Sequence, residues 1–305
     1  MYRRSARGPG ALRAAAGSLA ALSAAVILIV IVVALVVTAS LVYNRRVWRP
    51  RQAAASIPGD GLKVWELTAP LASLAVLLLV FVLVQTYASW AGAGNAETDE
   101  ATATLLLFRE ADLVAEAEVR AALHKQVVCY ATSVIQQDWP AMGDERISNV
   151  PTYWGTLIRE TGVRLVRERG ESYAGEELVQ RDGERASARQ RRLGEARPTV
   201  PDALAWLMLA AVVTVLAIVG TATLASVERG VHIAIVVCAA IAFAATLILI
   251  QDLDQPYAGA LRREPTQTEF VRDQIAAELR GPLPCDDAGL PTGAPGFRAT
   301  TAPLG

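Results

Sequence analysis

The chain has 305 residues, 53% of them hydrophobic, and its 29 basic and 30 acidic side chains leave a net charge of −1, which gives no reason to expect a nucleic-acid partner. The apolar residues are concentrated in four runs, so the composition excludes a wholly soluble protein and describes a membrane protein with one sizeable polar part. Three cysteines, Cys129, Cys238 and Cys285, are far apart and form no C-x-x-C pair, so neither a disulfide framework nor a zinc site is expected.

The runs without a charged side chain span residues 14–43, 67–95, 203–227 and 231–251. A helix needs roughly 20 apolar residues to cross a hydrocarbon core, and lipid offers no partners for backbone amides, so four spanning helices are expected. Their predicted cores are residues 19–42, 69–87, 204–224 and 233–251, which makes the chain an all-α integral membrane protein with a helical region between helices two and three. The first run follows Arg3, Arg4, Arg7 and Arg13, as a secretory signal would. Its length and the following Arg45, Arg46, Arg49 and Arg51 favour an uncleaved helix instead. The tail, this helix and the Arg-rich linker form a first part, residues 1–66.

On helix two, Leu77, Phe81 and Gln85 repeat every four residues and share a face. This is the candidate pore face, since an apolar constriction gates by dewetting. Helix packing or lipid contact is the plainer explanation of the same spacing.

The polar segment, residues 96–202, shows apolar spacings of three and four. Helices are predicted at 97–112, continuous with helix two, and at 116–137, 151–169 and 175–195. Pro140 lacks an amide hydrogen and disfavours helix at Trp139, so Asp138-Trp139-Pro140 is expected to end the second. Glu97, Asp99 and Glu100 are expected on a solvated turn, with a ring at a pore mouth as the alternative. Arg181, Arg185, Arg189 and Arg192 form one stripe with Glu177, Asp182, Glu184 and Glu195 interleaved, so a salt-bridged surface is favoured over an anion or lipid site. His124 reads as solvated surface, and His232 sits at a membrane edge where its ring reaches the headgroups. No P-loop, dinucleotide fingerprint or H-E-x-x-H is present. No catalytic, cofactor-binding or metal-ligating residue is assigned, and the chain does not read as an enzyme.

Glu228-Arg229-Gly230 is short enough to make helices three and four a hairpin, and four crossings put both termini on one side. Twelve Lys and Arg near the membrane ends would face the cytoplasm if the N-terminus does, against six outside. The positive-inside rule then predicts a multi-pass protein of the cytoplasmic membrane, with its termini and residues 96–202 in the cytoplasm. After helix four, Pro256 and Gly259 enforce a sharp exit. Asp254 is expected to accept from backbone amides of that turn or from an Arg rather than to bind an ion. Residues 281–305 are rich in Pro, Gly and Thr and are expected to be disordered.

Four features in order resemble a known pattern. They are an acidic, Ala-rich helix with Glu100 and Arg109, then Tyr130 followed by Asp138-Trp139-Pro140-Ala141-Met142. Next come Arg189 and Arg192-Leu193 ahead of Pro201, and finally Leu253-Asp254-Gln255-Pro256-Tyr257-Ala258-Gly259. Over residues 67–280 the chain is similar to the bestrophin-like domain family of bacterial membrane proteins, named for distant similarity to bestrophin anion channels. Asp138 stands where that family more often has Glu. The resemblance implies a homo-oligomer, a pentamer by analogy, that sits in a lipid bilayer and passes small anions along its second helix. Pore and calcium-site residues of bestrophins do not map onto this chain and are not carried over. The rival reading is a membrane-anchored interaction or signalling protein with no transport activity.

Overall fold

The structure, a computed structural model, describes residues 9–48, 64–168, 172–221 and 229–304. Among these residues it holds nine α-helices and one small sheet: α1 (Pro9–Tyr43), α2 (Val64–Glu110), α3 (Ala117–Ser133), α4 (Trp139–Met142), β1 (Arg146–Ser148), α5 (Val150–Glu168), α6 (Ser172–Glu195), α7 (Asp202–Thr221), α8 (Arg229–Leu253), α9 (Thr266–Ala277) and β2 (Thr301–Pro303). Four helices are long and apolar enough to cross a membrane, over Val26–Arg46, Ala69–Leu113, Asp202–Thr221 and Gly230–Leu253, as the four apolar runs predict. The expected continuity of helix two is met: α2 has 47 residues, roughly 70 Å of helix, far more than a bilayer core requires. Most of the Arg-rich linker lies outside the described residues, and of the predicted turn Glu228-Arg229-Gly230 only Glu228 does; Arg229 and Gly230 are the first residues of α8.

The chain divides into two compact units. One comprises Ala20–Ala88 and Pro198–Asp254. Its core is built by Ile29 and Val33 of α1, Leu79 and Val82 of α2, Met208, Val212 and Leu216 of α7, and Leu247 and Ile250 of α8. The first helix is therefore packed into the same core as the rest. Small residues allow the closest approach: a Cβ on Gly220 would collide with Ser40 Oγ. Asp254 closes the unit, its Oδ1 accepting from Thr199 N and Thr199 Oγ1 at 2.8 Å and from Val200 N at 3.0 Å. Backbone amides do satisfy it, but they belong to the segment leading into α7 and not to its own turn.

The second unit comprises Met1–Leu19, Ser89–Arg197 and Gln255–Gly305. Helices α5 and α6 form a hairpin held close by two glycines. A Cβ on Gly175 would meet Val166 Cγ2 at 2.6 Å and Gly162 O at 3.0 Å. Trp154 and Ile158 of α5, Leu178 of α6 and Leu123, Val127 and Tyr130 of α3 supply its core. Pro140 does not end the helix here. Residues Val134–Asp138 form a π turn, and helix resumes through Trp139–Met142 with Pro140 in its first turn, where a missing amide costs nothing. The wider turn rotates the downstream residues by roughly 100° relative to an uninterrupted helix, and Asp138, Trp139 and Met142 all point inward.

Two expectations are corrected at the C-terminus. Cys129 and Cys285 form a disulfide across 156 residues, which their wide sequence separation concealed. Residues 281–304 are ordered, not disordered. Trp154 Nε1 donates to Gly289 O at 2.8 Å, Gln137 Nε2 donates to Ala288 O at 3.1 Å, Phe297 packs on Tyr153, and β2 pairs antiparallel with β1. Gly289 has φ 75°, and a Cβ there would lie 2.6 Å from the Ser133 backbone, so only glycine lets the strap pass. The strap has too few apolar residues for a core of its own and is ordered by docking onto one.

Replacing Cys285 by Ala removes a cross-link of the kind worth roughly 2–5 kcal/mol. The variant, or wild type in reductant, is expected to melt at lower temperature and to be cleaved faster within residues 281–303 by limited proteolysis; unchanged protection would show that the bridge does not hold the strap.

Candidate functional site

Of the predicted pore face, Leu77 and Phe81 are among the most exposed apolar residues of the described chain, at 67% and 70%, and Gln85 beside them is also exposed. Leu74 and Val84 extend the same outward surface. The face takes no part in the core of its own unit.

The Arg stripe behaves differently from a salt-bridged surface. Arg181 stays at the surface with Glu177 and Glu184, but Arg185, Arg189 and Arg192 turn inward and are buried. Asp138, delivered by the π turn, accepts from Arg189 Nε at 3.0 Å and Nη2 at 3.2 Å, from Arg192 Nη2 at 3.0 Å, and from Ser148 N at 3.0 Å. Arg192 Nε donates a short bond to Glu100 Oε2, and Tyr130 Oη donates to Glu100 Oε1 at 2.6 Å. Arg185 pairs with Asp182 at 2.6 Å, its guanidinium stacked 4.2 Å over the Tyr130 ring. Arg189 also donates to Thr152 Oγ1 and Ser148 O, and Arg192 lies over Trp139. Three buried cations therefore meet three buried carboxylates, and the cluster is neutral as a whole.

Burial by itself would raise the Asp138 carboxyl, but Arg189 and Arg192 outweigh it and hold the group below the ordinary carboxylate range. Burial likewise opposes the charge on Arg192, and Glu100 and Asp138 more than restore it. Tyr130 is pushed up by burial and by the Glu100 charge, so it remains a hydrogen-bond donor. Every carboxylate in the cluster is engaged by a cation, which makes it a clamp between α2, α3, the π turn and α6.

The remaining expected residues are also placed. Glu97 is buried and accepts from Gln267 N at 2.9 Å in the first turn of α9. Of the three acidic residues predicted to be solvated, only Asp99 is exposed, facing Arg191 at 3.4 Å. His124 is half-buried and stacked on Phe108 rather than free in solvent. Cys238 faces outward from α8. Pro256 is buried with its carbonyl accepting from Arg263 N at 2.7 Å, Gly259 adopts φ 76° to complete the exit, and Tyr257 meets Trp139 edge-on. The motifs around Glu100, Trp139 and Arg192 thus converge within one unit. Glu100 was missed as the partner of Arg192 because 92 residues separate them; a buried acid was signalled only by its place on an Ala-rich face.

Asp138→Asn is expected to destabilise the protein by roughly 3–5 kcal/mol at neutral pH, because it leaves Arg189 and Arg192 short of one buried counter-charge. Since the folded-state pKa of Asp138 is depressed, its contribution is full above about pH 5 and is lost as pH falls through the carboxylate range. Thermal unfolding in detergent should therefore show a gap between variant and wild type that narrows below about pH 4; an equal gap at every pH would contradict the charge assignment.

The model of the Bestrophin-like domain family matches residues 30–268. Among solved structures, the chain is similar to a bacterial Bestrophin homolog from Klebsiella pneumoniae, with 15% identity and a TM-score of 0.65 over 82% of this chain and 97% of that one. A point mutant of that homolog aligns at 14% identity and a TM-score of 0.65 over 84% and 97%. At such identities the likeness shows a shared fold. No relative is found among the curated proteins. With the family match covering most of its length, and four helices long and apolar enough to cross a bilayer, the chain belongs to the bestrophin-like domain family of membrane proteins.

Proposed function

We propose that the chain assembles as a homo-oligomer, a pentamer by analogy, and passes small anions down their gradient along the α2 face that carries Leu77, Phe81 and Gln85. The carrying observation is the exposure of that face together with the chemistry of Gln85. Leu77 and Phe81 by themselves suit lipid as well as a dry constriction. An exposed amide next to them does not suit hydrocarbon, where its donors and acceptor would go unpaired, and a water-filled passage between copies satisfies it. Family membership supports the same reading, since the family is named for similarity to channels.

The Arg distribution supports an orientation with the termini and residues 96–202 in the cytoplasm of a cytoplasmic-membrane protein. The Cys129–Cys285 disulfide weighs against it, because such bridges persist mainly in oxidising compartments. The charge rule is the firmer guide, as it acts during insertion, before any cysteine pairs. Reporter fusions after Gly143 are expected to give fluorescent green fluorescent protein and inactive alkaline phosphatase; an active phosphatase would reverse the orientation.

The transport reading is tested by chloride efflux from liposomes holding protein whose oligomeric state has been measured by light scattering. Wild type is expected to conduct, and Phe81→Ala or Leu77→Ala to change the rate several-fold by widening the constriction. A verified oligomer with no flux would sink the channel and leave the anchored interaction protein; a stable monomer would leave no central axis.

A further inference from the structure

The two bridged cysteines lie on one side of the membrane, Cys129 in the segment between the second and third candidate spans and Cys285 after the fourth. The orientation proposed above puts that side in the cytoplasm. There the thiol pool keeps cysteines reduced, and a disulfide that does form is transient, serving catalysis or redox sensing. A catalytic dithiol has to be presented to its substrate. This pair is not: Cys129 is fully enclosed and Cys285 is 8% exposed. Redox sensing is what remains, and the fold shows what such a sensor would move.

Between Pro284 and Thr292 the strap is a loop closed on itself. Asp286 Oδ1 accepts from Ala288 N and Leu290 N, and Thr292 N donates to Pro284 O. Apart from the bridge, its directional ties to the helices are the bonds from Trp154 Nε1 to Gly289 O and from Gln137 Nε2 to Ala288 O. Downstream, Asn149 holds Arg298 and Thr300, and β1 holds β2, independently of the cysteines. The loop forms one wall of a cavity of about 670 Å³, through Pro284 and Pro291, opposite Ala121 and Lys125 of α3 and Tyr153 and Leu157 of α5. Breaking the bridge therefore frees that wall while the rest of the strap stays paired. We propose that Cys129 and Cys285 form a thiol–disulfide switch, in which oxidation by a low-molecular-weight disulfide fixes the loop over the cavity and reduction by small thiols releases it. In reduction, a thiolate attacks the sulfur of Cys285, the less enclosed partner, and Cys129 leaves as a thiolate. A second thiolate then displaces Cys285 from the mixed disulfide. Two small thiols become one disulfide, and both cysteines take up a proton. The switch rests on the cytoplasmic orientation and does not depend on ion conduction.

The full chain is trapped with acid in growing cells, denatured, and reacted with a polyethylene glycol maleimide, which adds one mass step per free thiol. Three steps are expected during growth, and one, from Cys238, after a pulse of the thiol oxidant diamide. A single step under both conditions would overturn the switch. The fusions after Gly143 then tell the two failures apart, since an inactive phosphatase leaves the orientation standing with a purely structural bridge and an active one shows that the orientation itself failed. In detergent, hydrogen exchange at residues 284–292 is expected to be several-fold faster in reduced than in oxidised glutathione. Cys285→Ser should exchange fast in both, and Cys238→Ser should behave as wild type. Equal exchange of the wild-type loop in the two buffers would show that the bridge does not control it, and would overturn the proposal.

Discussion

Arg192 is fully enclosed, and a guanidinium placed there has to be met by carboxylates on more than one side. Glu100 comes from the 47-residue α2, Asp138 from the π turn after α3, and Arg192 itself from the last turns of α6. Each carboxylate is oriented further by a neutral donor, Tyr130 for Glu100 and Ser148 N for Asp138. An isolated pair buried this deeply would barely repay its desolvation, but an alternating set of charges with its lone pairs filled avoids the cost of any unpaired member. The gain is in specificity: rotating α6 by one residue would part Arg189 and Arg192 from Asp138 and Glu100, while Arg185 keeps Asp182 of its own helix, so these two arginines set the register of α6 against α2 and the π turn.

The rest of the second unit is arranged around that constraint. With Asp138 turned inward, Trp139 follows it and becomes the platform for both Arg192 and Tyr257. Trp139 Nε1 donates to Arg263 O, which holds the chain after the Gly259 exit. The C-terminal strap then covers α3 and α5 through the Cys129 bridge, the Trp154 bond and the β1–β2 pairing. The resemblance motifs are individually modest because each is one side of a contact whose other side lies far along the chain. The Leu253–Gly259 motif divides its work, Asp254 anchoring the segment before α7 in one unit and Tyr257 packing in the other.

The buried ion cluster is saturated and offers no group to a solute. Buried side-chain atoms without a hydrogen-bond partner among the described residues occur in both units, on Asn44 and His232 in one and on Gln126, Arg181, Tyr257 and Arg263 in the other. An exposed amide such as that of Gln85 on a candidate span is costly in hydrocarbon unless water or a second copy supplies partners.

The four spanning helices, the continuity of α2 and the helical character of the segment up to α6 were legible in the sequence, because run length and three-to-four spacing are local properties that lipid and an apolar core impose directly. The importance of Asp138, Arg189, Arg192 and Asp254 was legible as motif, and the partners of Asp254 were correct in kind. What Pro140 does was not, since the preference of a proline against helix is weaker than the pull of a buried network on the residue two places before it. The burial of Glu97 and Glu100, the Cys129–Cys285 bridge and the order of the last 24 described residues were decided by tertiary structure alone. Each depends on a partner about 90 to 170 positions away, and a charged or Pro-rich segment reads as solvated until the surface that neutralises or receives it has been assembled.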